Sequence, residues 1–258
     1  MTTRELLLHA WVFRPVVAVA IAAVLVAHTA WLRMRHPART AALLGAALAA
    51  VLALMSPVDV LARGTLFSAH MMQHLLLVLA APPLALLSLP RTERAAEHRR
   101  LPAFAYWSLG VGAMWVWHAP TLCNAAASSD AVRAVQTISL VAMGAAFWWP
   151  VVGPRLDQRL ADPAAVAYLF FACVACSLLG IIIAFSPVEV CTAYLQPADP
   201  LGLLPLVRRR WGLTPAVDQQ LGGLLMWVPG CAVYASSILA VLARFYGAAG
   251  SMRAQGTP

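Results

Sequence analysis

Residues 163–186 read PAAVAYLFFACVACSLLGIIIAFS, without one acidic, basic or imidazole side chain. An α-helix rises about 1.5 Å per residue, so about 20 such residues cross the roughly 30 Å hydrocarbon layer of a bilayer. This stretch spans it unaided. Six others have comparable length and apolarity, which places seven runs at 13–32, 40–60, 66–89, 102–124, 132–152, 163–186 and 218–246. The last is long enough to tilt or to continue past the membrane. Pro37, Pro57, Pro90, Pro102, Pro154 and Pro163 fall at or near the expected helix ends, where proline is tolerated. The reading is an all-α integral membrane protein: one polytopic domain over 1–258 with about seven transmembrane helices.

Composition agrees. Hydrophobic residues make up 62% and charged residues 11% of the chain, whereas a soluble domain has roughly 45–50% and about 25%. Too few polar side chains exist to coat a water-soluble globule, and a disordered chain or coiled coil is excluded as well. The net charge of +8 would point to nucleic acid in a soluble protein. Here all 18 basic residues are arginine, mostly in the short connections, so the charge reports topology and lipid contact instead. Basic residues concentrate on the cytoplasmic side. An N-out, C-in arrangement puts 11 arginines inside, among them Arg33, Arg35, Arg39, Arg91, Arg94, Arg99 and Arg100, against 7 outside. The apolar stretch after Arg14 reads as a retained anchor rather than a cleaved signal. The outer connection 187–217, with Arg208, Arg209 and Arg210, is long for a structureless loop and has room for an interfacial turn or helix.

Ionisable groups inside spanning helices are expensive and point to function. His70 and His74 open the third run, His118 lies near the end of the fourth, Arg133 and Gln136 open the fifth, and Asp218, Gln219 and Gln220 open the seventh. Scattered over 150 positions, they share one layer at the outer leaflet. His70 and His74 stand one turn apart on one helix face. That spacing suits one metal ion, with His118 as third ligand. Met71, Met72, Met114 and Cys123 offer soft sulfur that favours copper(I), Met114 foremost because it lies one turn below His118. Gln73, Asn124 and Asp218 are candidates to orient the imidazoles. The bland alternative is that the histidines bond interfacial water or loop carbonyls. A haem at the same cluster is a further alternative. Asp218 reads equally as a helix cap or as a metal or partner ligand.

Three features invite packing readings. Pro82-Pro83 should kink the third helix, since neither residue donates a backbone N–H. Cys173 and Cys176, with Cys231, read as small core residues rather than a relay. The tryptophans, including Trp148 and Trp149, read mostly as interfacial anchors. The cysteines leave the redox compartment open. No HExxH, GxSxG, P-loop or paired carboxylates occur, so no enzyme is expected.

Four blocks, HMMQHLLLVLAAPPLALL at 70–87, WVWHAPTLCNAA at 115–126, GAAFWWPVV at 144–152 and LTPAVDQQLGGLLMWVPG at 213–230, resemble in order the signature blocks of the CtaG family of bacterial cytochrome c oxidase assembly factors. The resemblance implies a plasma-membrane protein that helps build a respiratory oxidase by providing copper, with oxidase subunits and copper donor proteins as partners. It marks His70, His74, His118, Asp218 and Gln219 as motif positions. Where the family commonly shows a glutamate and a histidine pair, this chain has Arg133, Gln136 and Thr137. Arg133 puts a positive charge in the layer, which opposes a cation. Two alternatives remain: a transporter of metal or small solute, which needs polar groups through the full membrane depth, and a structural scaffold, for which loss of the histidines would be silent.

Overall fold

The computed structural model describes residues 2–32, 36–92, 101–197, 199 and 201–255. Arg33, Arg35, Arg94, Arg99 and Arg100, counted above for topology, lie outside them. The helices are α1 (Thr3–His9), α2 (Pro15–Leu32), α3 (Pro37–Leu54), α4 (Pro57–Ala62), α5 (Phe67–Leu75), α6 (Ala81–Ser88), α7 (Ala103–Trp117), α8 (Pro120–Ser128), α9 (Asp130–Val152), α10 (Asp162–Phe185) and α11 (Pro215–Gln255). A π-helical turn, Leu76–Ala80, joins α5 to α6. Proline occupies the first turn of α3, α4, α8 and α10, where its missing N–H has no partner to lose and its fixed φ suits the helix.

Among the described residues, five helical segments are long and apolar enough to cross a membrane: Pro37–Leu54, Phe67–Ser88, Asp130–Val152, Asp162–Phe185 and Pro215–Gly247. All seven expected runs are helical, but two fall short of a full span. In the first, the apolar part runs Pro15–His28. The fourth, expected as one helix over 102–124, breaks at His118 and Ala119, so that α7 has 15 residues and α8 starts at Pro120. The break follows from Pro120, which biases Ala119 to an extended conformation and stops the helix before it. For the same reason the run 40–60 divides at Ser56, whose hydroxyl accepts from Val58 N (3.1 Å) and caps α4.

The third run shows how the proline pair is accommodated. Pro82 cannot donate to Val78 O four residues back, and the backbone responds with the π-turn just before it, in which Ala81 N–H reaches Leu76 O. The freed carbonyl does not go unmet. The Trp148 indole N–H of α9 donates to Val78 O at 3.0 Å. Trp148 is 1% exposed, so the expected interfacial anchor is a core residue instead. It lies in an aromatic cluster with Phe147, Tyr168 and Tyr234, ring centroids 5.0–6.1 Å apart.

The most extensive helix pair is α10 with α11. A Cβ on Gly223 would stand 2.5 Å from Ala184 N and 2.6 Å from Gly180 O. Only glycine permits that approach, the small-residue packing typical of membrane helices. Cys173 meets Cys231 of α11 at 3.3 Å and Cys176 meets Tyr234 at 3.6 Å, so these thiols pack between helices as expected.

The segment 187–214 is a folded cap, with a 3-10 turn at Thr192–Tyr194 and a π-turn at Pro205–Arg210. Leu203, Leu206 and Val207 bury against Leu6 of α1 and Leu66. Arg208 holds the turn by donating to Tyr194 O (3.0 Å) and Leu213 O (2.5 Å).

Candidate functional site at the histidine layer

The sequence spreads the polar residues along the chain, and the helices collect them at one end. His70 and His74, on one face of α5, have ring centroids 4.3 Å apart, and His118 stands 5.2 Å from His74. All three are buried. His118 is held by its own helix end: its Nδ1 lies 2.5 Å from Met114 O. A carbonyl only accepts, so Nδ1 carries the proton and Nε2 turns its lone pair inward. Facing it at 3.2 Å is Met71 Sδ. The sulfur nearest an imidazole therefore belongs to Met71, while Met114 contributes its carbonyl. Cys123, expected as another soft donor, is bonded to Cys191 in a disulfide that ties α8 to the 187–214 cap.

The rest of the layer is divided between fastening and vacancy of partners. Asp218, at the start of α11, accepts from Phe67 N (2.7 Å), Ser68 N (3.0 Å) and the Ser68 hydroxyl (2.5 Å). Leu66 gives α5 no side-chain cap. Asp218 thus caps the helix that carries His70 and His74, satisfying orphan N–H groups and opposing the helix dipole. Its carboxylate is engaged there and orients a helix rather than an imidazole. Four residues on, Gly222 makes room for the Phe67 ring, whose nearest atom would stand 2.5 Å from a Cβ. Gln219 bonds Val190 N (2.7 Å) and Val188 O (3.1 Å) of the cap. Asn124 accepts from Ala193 N (2.8 Å) beside the disulfide, so it too fastens the cap instead of an imidazole. Tyr194 donates to Ala62 O (2.9 Å), and burial pushes its phenol above the ordinary value, keeping that proton in place.

Beside the histidines is a cavity of about 470 Å³, walled by α2, α4, α5 and α9. Arg133, Gln136 and Thr137 line it together with His70 and His74. Sequence reasoning passed over its third side. Asp59 of α4, 2% exposed, accepts from Arg14, from Arg63 Nε (3.0 Å) and from Gln73 Nε2 (3.0 Å), and Arg63 also reaches Asp130 (2.7 Å). A lone carboxylate inside the apolar run 40–60 was the signal for it. Gln73 donates in addition to Ala53 O at 2.7 Å, which ties α5 to α3.

Several buried atoms in this layer meet no hydrogen-bond partner: His70 Nδ1, both ring nitrogens of His74, Arg133 Nε and Nη1, and Gln136 Nε2. Among the described residues no group of three His, Cys, Asp or Glu side chains stands ready to hold a metal ion.

Residues 19–248 match the family described as cytochrome c oxidase caa3 assembly factor. The chain belongs to that family. Comparisons with curated proteins and with solved structures give no match. As a caa3 assembly factor it carries three of the four sequence blocks at the points where this layer is built and the third block at the opposite end of α9. The first supplies α5, the second the α7–α8 break, the third the Trp148 contact to the π-turn, and the fourth the Asp218 cap and the glycine approach. Arg133 and Gln136 lie in the wall beside His70 and His74 rather than at a distance from them.

Proposed function

We propose that this caa3 assembly factor is a non-enzymatic, seven-helix plasma-membrane protein, N-terminus out, that holds copper(I) as cargo at the outer leaflet and passes it to an oxidase subunit. His70, His74 and His118 are the ligands, with Met71 as the soft fourth donor. The observation that carries this reading is three buried imidazoles in succession, ring centroids 4.3 Å apart from His70 to His74 and 5.2 Å from His74 to His118, with His118 oriented by a carbonyl and with His70 Nδ1 and both His74 nitrogens unmet. Buried imidazoles left unpaired are costly unless they serve a ligand. A transfer site works by ligand exchange and is better open than caged, because a saturated site releases its metal slowly.

The orientation has its own support. Disulfides persist in oxidising compartments, and Cys123–Cys191 lies at the histidine end. Ser88 and Ser177 bond carbonyls of their own helices, at 2.7 and 2.6 Å, which favours an assembly factor over a permease. Copper donors and oxidase subunits are the expected partners.

Anaerobic copper(I) binding by the detergent-purified protein, with a chelator in competition, tests the reading. One copper per chain is expected, lost in the His70→Ala, His74→Ala double variant. No binding in either form overturns the copper role. Labelling of a Val188→Cys variant, at a cap residue 66% exposed, by a membrane-impermeant thiol reagent on intact cells tests the orientation, and protection from the outside with labelling after lysis overturns it.

A further inference from the structure

The unmet groups in the cavity are not evenly of one kind. Arg133 Nε and Nη1 can only donate, and the Gln136 amide nitrogen likewise, so the α9 wall asks for an acceptor rather than a cation. The charges agree. Arg14 and Arg63 are matched by Asp59 and Asp130. Arg133 pairs with no carboxylate among the described residues, and its one hydrogen bond goes to Ala127 O at 2.9 Å. It is 8% exposed and Gln136 is 2% exposed. A buried guanidinium with two idle nitrogens is strongly unfavourable unless something negative completes it. Its planar fork fits the paired oxygens of a phosphate.

We propose that this cavity is an oxyanion site, in which Arg133 and Gln136 bind a phosphate group. A volume of about 470 Å³ is in the range of small-ligand sites, roughly 300–1,000 Å³. The rim explains how a ligand enters. Val16 on α2 and Ile138 on α9 line the cavity yet are 83% and 69% exposed. The opening therefore lies between two apolar helix faces, where the headgroup of an anionic phospholipid can reach in while its chains stay outside. Free phosphate offers the same chemistry. The site does not depend on the copper reading, since it uses a different wall of the cavity and the opposite charge.

The test uses the full chain, delipidated and reconstituted in phosphatidylcholine nanodiscs, with two probes. One is radiolabelled inorganic phosphate, the other phosphatidylglycerol followed by native mass spectrometry. Saturable binding of one probe per chain is expected, weakened about tenfold or more by Arg133→Gln, as loss of a charged hydrogen-bonding partner implies. Arg133→Lys, which keeps the charge without the fork, should retain part of it. The probe that binds identifies the source of the phosphate. Failure of both probes to exceed the phosphatidylcholine background, or equal binding by Arg133→Gln, overturns the proposal. An intact Cys123–Cys191 disulfide and a monodisperse elution profile verify that each variant is folded. Copper binding measured on the same samples keeps the two readings separate.

Discussion

The two ends of α9 are built to opposite standards. Towards its C-terminal end, Trp148 N–H meets Val78 O, Tyr168 O–H meets Phe147 O at 2.9 Å, and Tyr234 meets Cys176. Of the buried side-chain polar atoms around that aromatic cluster, only Trp107 Nε1 lacks a partner among the described residues. Towards its N-terminal end, Arg133 and Gln136 face His70 and His74 across a cavity with six atoms unmet. The same chain has satisfied one buried polar region and left the other incomplete. Unsatisfied buried polar groups destabilise a fold, a cost that the two proposals above assign to ligand binding. The difference separates stability from function, and mutations at the two ends should part accordingly.

Trp148→Ala should have the largest effect. It removes a buried aromatic side chain, about 3–5 kcal/mol for substitutions of this kind, and exposes Val78 O at the π-turn. Thermal unfolding in detergent should show a lower midpoint or loss of folded protein. Trp148→Phe keeps an aromatic ring but loses the N–H with the pyrrole part of the indole, so it should cost at least the roughly 1–3 kcal/mol of an unmet buried carbonyl. Equal stability for wild type and Trp148→Phe would break the claim that the indole repairs the proline gap. Asp218→Ala comes next. It deprives α5 of its cap, about 0.5–2 kcal/mol, and should also weaken copper binding because His70 lies within the first turns of that helix. Asp218→Asn should recover part of both. Recovery of stability without recovery of binding would mean that Asp218 acts on the site by another route.

These contrasts bear on what the sequence discloses. Helix positions were legible because apolar length sets the span and proline marks the ends. The polar layer was legible because topology fixes depth, which gathers His70, His118, Arg133 and Asp218. What each residue touches was not. In a soluble helix polarity marks the exposed face, but here lipid and core are both apolar, so nothing in the pattern separates the buried Trp148 from an interfacial tryptophan. The same symmetry hid the break of the run 102–124, whose apolar content continues through Ala119 and Pro120. Five cysteines do not disclose their pairing, and Cys123 was therefore counted as a thiol. Asp218 sits where a cap for its own helix would sit, while its targets are 150 residues away in the sequence. Asp59 was missed because one carboxylate in an apolar run carries no partner in its local pattern.

His70→Ala with His74→Ala should leave the unfolding midpoint nearly unchanged, since the nitrogens removed at His70 Nδ1 and in His74 make no hydrogen bond. Copper binding should be lost in the same protein. A large destabilisation would show these rings to be structural and would move the histidine layer into the class of the aromatic end.

The smallest effect is expected at Gln136. Its amide nitrogen is buried without a partner, and leucine has nearly its volume. If the incomplete end truly sacrifices stability, Gln136→Leu should raise the unfolding midpoint, by about 1 kcal/mol of stability on the scale of a buried unmet polar group. In phosphate-free detergent solution that gain should appear in full. With phosphate or phosphatidylglycerol present it should shrink or reverse, because the ligand stabilises wild type by mass action and binds the variant less well. A midpoint that falls under both conditions would mean that Gln136 already has a partner in the folded protein, and the two ends of α9 would then differ in composition but not in completeness.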